Sequence, residues 1–167
     1  MRILYILYTV LALCKTQTDL QVSNPEYQAY LNEVYSGFLP GITVESLQGL
    51  GDEKIYYLDS REQQEYRVSH IKYARQVGNL WFDMRDVYDI PKDAFIVVYC
   101  TIGDRSQRVG EKLVNAGYSQ VYFLYGGMIE WMNMGNPVYT EKEIQTPQVL
   151  LSKKSWESWL EKGKAIF

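Results

Sequence analysis

Short apolar runs, bounded by charge and by turn residues, organise this chain. Ile55-Tyr56-Tyr57-Leu58, ending at Asp59, predicts a strand buried on both faces, because successive residues of a strand point to opposite sides. Phe95-Ile96-Val97-Val98-Tyr99 is the most strand-like segment, and Val121 to Leu124 is another. Ile42-Thr43-Val44 and Ala74 to Val77 predict shorter strands. Between them the apolar residues recur at helical spacing. Tyr27, Tyr30, Leu31 and Val34 predict a helix over Pro25 to Tyr35, opened by Ser23-Asn24 with Pro25 at the first helical position and closed by Gly37 and Pro40. Val109, Leu113 and Ala116 predict a helix from Arg105 to Ala116, with Gly117 as its C-terminal cap. Glu45 to Leu50, Arg61 to Tyr66 and Met128 to Met134 predict shorter helices, the last following the Gly126-Gly127 turn and stopped by Gly135-Asn136-Pro137. Strands that alternate with helices imply an α/β fold: a central parallel β-sheet with helices on both faces.

The ends of the chain differ from this pattern. Met1-Arg2 is followed by an apolar run from Ile3 to Leu13, interrupted only by Thr9, and then by the polar Lys15-Thr16-Gln17-Thr18. The run is shorter than the roughly 20 residues that cross a bilayer, and its layout is that of a secretory leader. Residues 1–18 are therefore expected to direct export, to the periplasm or to a lipid anchor on the cell envelope. Ala12-Leu13-Cys14 fits cleavage before Lys15, whereas Leu11-Ala12-Leu13-Cys14 resembles a bacterial lipobox and would give membrane attachment through a lipidated Cys14. Beyond the leader, residues 19–40 are expected to form an N-terminal helical flank, 41–140 the central domain and 141–167 a C-terminal helical extension. In that extension Trp156, Trp159 and Leu160, at i, i+3 and i+4, would pack a helix onto the domain.

With 167 residues, 47% hydrophobic and 22% charged, the chain suits one globular domain. Seventeen basic against 20 acidic residues leave a net charge of -3, which argues against affinity built on nucleic-acid phosphates. Two cysteines and one histidine cannot assemble a disulfide framework or a Cys/His metal site, so neither metal nor cofactor is expected. Cys14 belongs to the leader, which leaves Cys100 as a single thiol at the carboxyl end of the Phe95 to Tyr99 strand, where ligands bind in open α/β sheets. Thr101-Ile102-Gly103-Asp104 must turn sharply there, and Gly103 supplies the conformational freedom for backbone amides to converge. Those amides and the start of the next helix would stabilise an anion at sulfur and lower the thiol pKa, with Arg105 assisting and Asp104 opposing.

Cys100-Thr101-Ile102-Gly103-Asp104-Arg105-Ser106 resembles the Cys-x-x-Gly-x-Arg-Ser active-site loop of single-domain rhodaneses, the thiosulfate sulfurtransferase-like family. Upstream, Leu58-Asp59-Ser60-Arg61-Glu62, Glu65-Tyr66 and Ser69-His70-Ile71 are similar to further family elements, although Ser69 replaces a glycine and Tyr73 is bulkier than the usual residue. Downstream, Gly117-Tyr118, Val121-Tyr122 and the run from Leu124 through Gly126-Gly127 to Trp131 continue the likeness, and the flanks resemble those of exported bacterial members. The resemblance implies a rhodanese domain over 41–140 and a double-displacement sulfur transfer. Cys100 would take a sulfane sulfur from a small sulfur-containing donor such as thiosulfate, hold it as a persulfide and release it to cyanide or a thiol. Thr101, Ile102, Gly103, Asp104, Arg105 and Ser106 would cradle the persulfide. Asp59 and Arg61 would support the loop as an ion pair, and His70 would be structural. The Asp104 carboxylate would repel a dianion, favouring a persulfide, polysulfide or protein donor. Phosphatases of related fold carry a Cys-x5-Arg loop, and the four residues between Cys100 and Arg105 are one too few for that oxyanion. A binding or redox-sensing module of little turnover is the alternative.

Overall fold

The computed structural model describes residues 20–35 and 37–167. The leader expected over 1–18, and with it both readings of Cys14, lies outside the described residues.

Five parallel strands form the central sheet in the order β1-β5-β4-β2-β3: β1 (Gly41–Ile42), β2 (Ile55–Asp59), β3 (Arg75–Gln76), β4 (Phe95–Tyr99) and β5 (Gln120–Leu124). All five residues of β4 are buried, and since their side chains alternate between faces, both faces of the sheet centre are covered. Around it run α1 (Pro25–Val34), α2 (Val44–Gln48), α3 (Gln63–Val68), α4 (Asp104–Asn115) and α5 (Gly127–Asn133).

Burial on both faces of β2 holds only for Leu58 and Asp59. Ile55, Tyr56 and Tyr57 are half-buried, because at that end of the strand the cover is thin: Tyr57 meets the edge of Trp131, itself only partly buried, and Tyr56 lies under the Lys54 amine. β1 ends at Ile42 rather than Val44, because Thr43 turns the chain as the cap of α2, its Oγ1 accepting the Ser46 amide at 3.2 Å.

The C-terminal region is not an α-helical extension. β6 (Val138–Tyr139) pairs antiparallel with β7 (Gln145–Thr146) across residue 140, so the expected domain boundary falls inside a hairpin. β8 (Gln148–Leu150) and β9 (Lys164–Ile166) then form a parallel pair enclosing one 3-10 helix, Lys154–Trp159. The i, i+3 spacing of Trp156 and Trp159 matches the three-residue turn of that helix as well as it matches an α-helix. Trp156 is buried, and Trp159 stacks on Tyr27 and packs at a tilt against Tyr30 of α1, with ring centroids 4.9 and 4.5 Å apart. α1 in turn buries Tyr27 and Leu31 completely, which fixes the flank on the domain next to the carboxyl ends of β4 and β5. No helix among the described residues is long and apolar enough to cross a membrane.

Candidate active site

Cys100 follows β4 directly and is fully buried. The chain then reverses into α4 through Gly103, whose φ of 102° lies in the left-handed region that side chains disfavour. A Cβ there would also approach the Leu124 carbonyl oxygen to 3.0 Å and crowd the Tyr35 hydroxyl. This conformation turns the Gly103 N–H onto Cys100 Sγ at 3.0 Å. The thiol donates to Asp104 Oδ1 at 3.3 Å, and the same oxygen accepts the Arg105 amide at 2.7 Å.

The loop is held from outside by its carbonyls. Cys100 C=O accepts the Met128 amide at 3.0 Å and Thr101 C=O the Ile129 amide at 3.2 Å, both from the first turn of α5. That close approach requires Gly127, since a Cβ would sit 2.7 Å from the Thr101 carbonyl carbon. Ile102 C=O accepts the Tyr35 hydroxyl, and Gly103 C=O accepts Ser106 Oγ at 2.7 Å.

Arg105 does not hydrogen-bond the sulfur. Its guanidinium forms a two-point pair with Glu65, at 2.7 and 2.8 Å, and donates to Thr101 Oγ1 at 2.9 Å, while that hydroxyl donates to Glu65 Oε1 at 2.9 Å. Glu65, in the first turn of α3, thereby ties α3 to the loop. In the sequence Glu65 stands out only as part of the Glu65-Tyr66 element. The one local signal was its place in a capping box, where its carboxylate accepts the Glu62 amide. In the sequence Tyr35 is only the end of a flanking helix. Its contact with the loop is 67 positions away in sequence, beyond any local pattern.

The expected depression of the thiol pKa is not found. Burial pushes the Cys100 thiol up. Arg105 and the amides of Ser106 and Gly103 pull it down, but Asp104 pushes it up further, and the net direction is upward. Arg105 and Asp104 act in the directions expected of them, and desolvation outweighs the cradle. Sharing its charge with Glu65 leaves Arg105 less to offer the sulfur.

Asp59 and Arg61 pair at 2.6 Å, both completely buried, one strand away from the loop. Arg61 also donates to Ser69 C=O at 2.5 Å, and its guanidinium lies over the Tyr99 ring, the residue before Cys100. Neighbouring Ser60 donates from both amide and hydroxyl to Tyr99 C=O. The pair thus braces the strand ends under Cys100, and no hydrogen bond from either side chain goes to residues 100–106. His70 stacks on Tyr66 at 3.9 Å, its Nδ1 lies 3.0 Å from Tyr66 C=O, and its Nε2 faces Glu143 at 3.9 Å. These are framework contacts. Among the described residues no three His, Cys, Asp or Glu side chains gather as metal ligands.

A parallel sheet of this strand order, with a cysteine at the end of its central strand and a tight loop running into a helix, defines a rhodanese-type α/β domain. The model for the rhodanese-like domain matches residues 43–134, and the chain belongs to that family. A sulfurtransferase from Allochromatium vinosum is 36% identical over 99 residues, covering 58% of this chain and 92% of that protein. A tRNA uridine(34) hydroxylase from Pectobacterium atrosepticum is 32% identical over 85 residues, 48% of this chain, and one from Buchnera aphidicola is 30% identical over 101 residues, 56% of this chain. The chain spans only 24% and 31% of the lengths of those two relatives. Among solved structures, a Bacillus halodurans protein superposes with a TM-score of 0.59 at 20% identity, covering 81% of this chain and 98% of that one. The rhodanese-like domain of an Anabaena protein gives 0.55 at 24% identity, covering 60% and 79%. At these identities the structures share the fold.

Proposed function

We propose that the protein moves a sulfane sulfur from thiosulfate or a persulfide donor to a thiol or cyanide acceptor through a persulfide on Cys100. Family membership and the Allochromatium sulfurtransferase support sulfur transfer in general. The observation that carries the finer reading is the Gly103 N–H at 3.0 Å from Sγ, within a loop whose carbonyls are all turned outward. In the first half-reaction Sγ attacks the outer sulfur of the donor. The Sγ–S bond forms, the donor S–S bond breaks, and the thiol proton leaves with the departing thiol or hydrogen sulfite. The resulting persulfide is an anion, stabilised by the inward amides. In the second half-reaction the acceptor attacks the outer sulfur. Thiocyanate or a new persulfide departs, and the electron pair of the broken bond returns to Sγ. Asp104 Oδ1, already in the cradle, disfavours dianionic thiosulfate and favours a monoanionic persulfide or polysulfide.

Complete burial and a thiol pushed upward favour a second reading, a binding or redox-sensing module of low turnover. Incubating the protein with thiosulfate, polysulfide or glutathione persulfide decides between them. Transfer predicts one added sulfur mass on the peptide containing Cys100, removed by cyanide and absent in Cys100→Ser; no adduct from any donor leaves the module. Export through residues 1–18 is also proposed, and the N-terminal mass of protein from its native host tests it: acyl groups on Cys14, a free Lys15, or an uncleaved chain that would refute it.

A further inference from the structure

Four consecutive carbonyls, from Cys100 to Gly103, are each held on the outer side of the loop, and three of the four anchors come from within residues 43–134. The fourth, on Ile102, is the hydroxyl of Tyr35, which lies outside that span at the end of α1. We propose that Tyr35 is a positioning residue for the reacting thiol: by holding the Ile102 carbonyl outward, its hydroxyl aims the Gly103 N–H at Cys100 Sγ. The inference rests on the reading of Cys100 as the sulfur carrier.

The geometry follows from peptide planarity. The Ile102 C=O and the Gly103 N–H belong to one peptide unit and point in opposite directions. Fixing one end therefore fixes the other, and the N–H end is the one 3.0 Å from sulfur. Gly103 makes the anchor necessary, because without a side chain its peptide is free to rotate into alternatives that a Cβ would forbid. Burial, with the neighbouring Cys100, holds the Tyr35 hydroxyl well above its ordinary range, so it stays protonated and donates to the carbonyl. The same hydroxyl accepts the Gly126 amide at 3.2 Å. Accepting one bond while donating another strengthens both, and the donation polarises the peptide toward a stronger N–H. The ring is fixed by edge-on packing against Phe123 and Tyr125, each with centroids 5.0 Å away. Tyr27, also on α1, donates to the Gly126 carbonyl at 2.8 Å and makes no hydrogen bond to residues 100–106, so it reports on the flank without the anchor.

The experiment titrates the Cys100 thiol by thiolate ultraviolet absorbance in the full chain, in Tyr35→Phe and in Tyr27→Phe, with urea unfolding of all three. Phe keeps the ring packing and changes no charge, and Asp104, Arg105, Glu65 and Tyr27 around the sulfur stay as they are. Tyr35→Phe is expected to hold about tenfold less thiolate at a fixed pH, a loss of about 1.4 kcal/mol. Tyr27→Phe is expected to lose stability but to titrate like the parent. 3-Fluorotyrosine placed at residue 35 keeps the shape with a stronger donor, and is expected to shift the titration the opposite way. An unchanged titration in Tyr35→Phe, or an equal shift in Tyr27→Phe, overturns the proposal. If Tyr35→Phe shifts the thiol while no donor loads sulfur on the parent, the positioning role stands and sulfur transfer falls.

Discussion

Replacing Glu65 by Gln tests the account of how α3 holds the loop. The carboxylate is buried, pairs with Arg105 at two points and accepts from Thr101. Removing one partner of a buried pair costs about 3–5 kcal/mol. Gln keeps the shape and one acceptor, and the Arg105 side chain is 21% exposed, so the expected loss is smaller, about 2 kcal/mol. With a urea slope of about 2 kcal/mol/M the midpoint should fall by roughly 1 M at pH 7. The loss should also depend on pH. Burial alone would raise the Glu65 carboxyl, but the hydrogen bonds and charge of Arg105, with Arg61 behind it, hold it below its ordinary 4.5. The unfolded chain then binds this proton more tightly than the folded one. The stabilisation is complete above 4.5 and disappears as the pH falls through the lower folded value. Urea unfolding followed by tryptophan fluorescence, at pH 7 and in steps below 4.5, should show the two proteins converging in acid. Equal midpoints at pH 7, or a gap that persists undiminished in acid, would refute the reasoning.

Asp104→Asn removes a charge that pushes the thiol up, and iodoacetamide should then alkylate Cys100 roughly three- to tenfold faster at neutral pH. Its turnover with thiosulfate should rise relative to a monoanionic persulfide; a fall in that ratio contradicts the selective role of the carboxylate. Gly103→Ala forces a side chain into a φ of 102° beside the Leu124 carbonyl, at a cost of about 2 kcal/mol in urea unfolding. Sulfur loading measured by mass should drop at least about tenfold as the amide swings off the sulfur.

The parts of the fold that sequence alone exposed are those fixed locally. β4 and β5 are apolar runs within one residue of their observed bounds, and α1 carries its own cap in Asn24 and its own start in Pro25. β1 and β3 shrank to two residues because β-branched and apolar residues at strand ends also serve as caps and turns, as Thr43 does. The tryptophans of the C-terminal segment have a spacing that α and 3-10 helices share, and what decides between them is the pairing of β8 with β9 across the intervening residues. In the site, Cys100 and its loop were legible because one short motif holds them. The direction of the thiol pKa was not, since it turns on complete burial, which arises from the fold. Glu65 and Tyr35 reach the loop across 40 and 67 positions, and side chains of their type would be equally at home on a surface.

The packing of Trp159 against Tyr27 and Tyr30 has a consequence for anyone wishing to transplant this domain. Residues 43–134 contain the cysteine, its loop and every strand of the sheet except β1, yet not the two flanks that clasp each other outside them. The tail grips α1 through these rings and through the hydrogen bond from Asn24 to Glu161, and α1 grips the loop through Tyr35. The smallest portable unit is therefore the domain together with both ends. A graft trimmed to the family's span would carry Cys100 but leave behind the buckle that keeps its loop in shape.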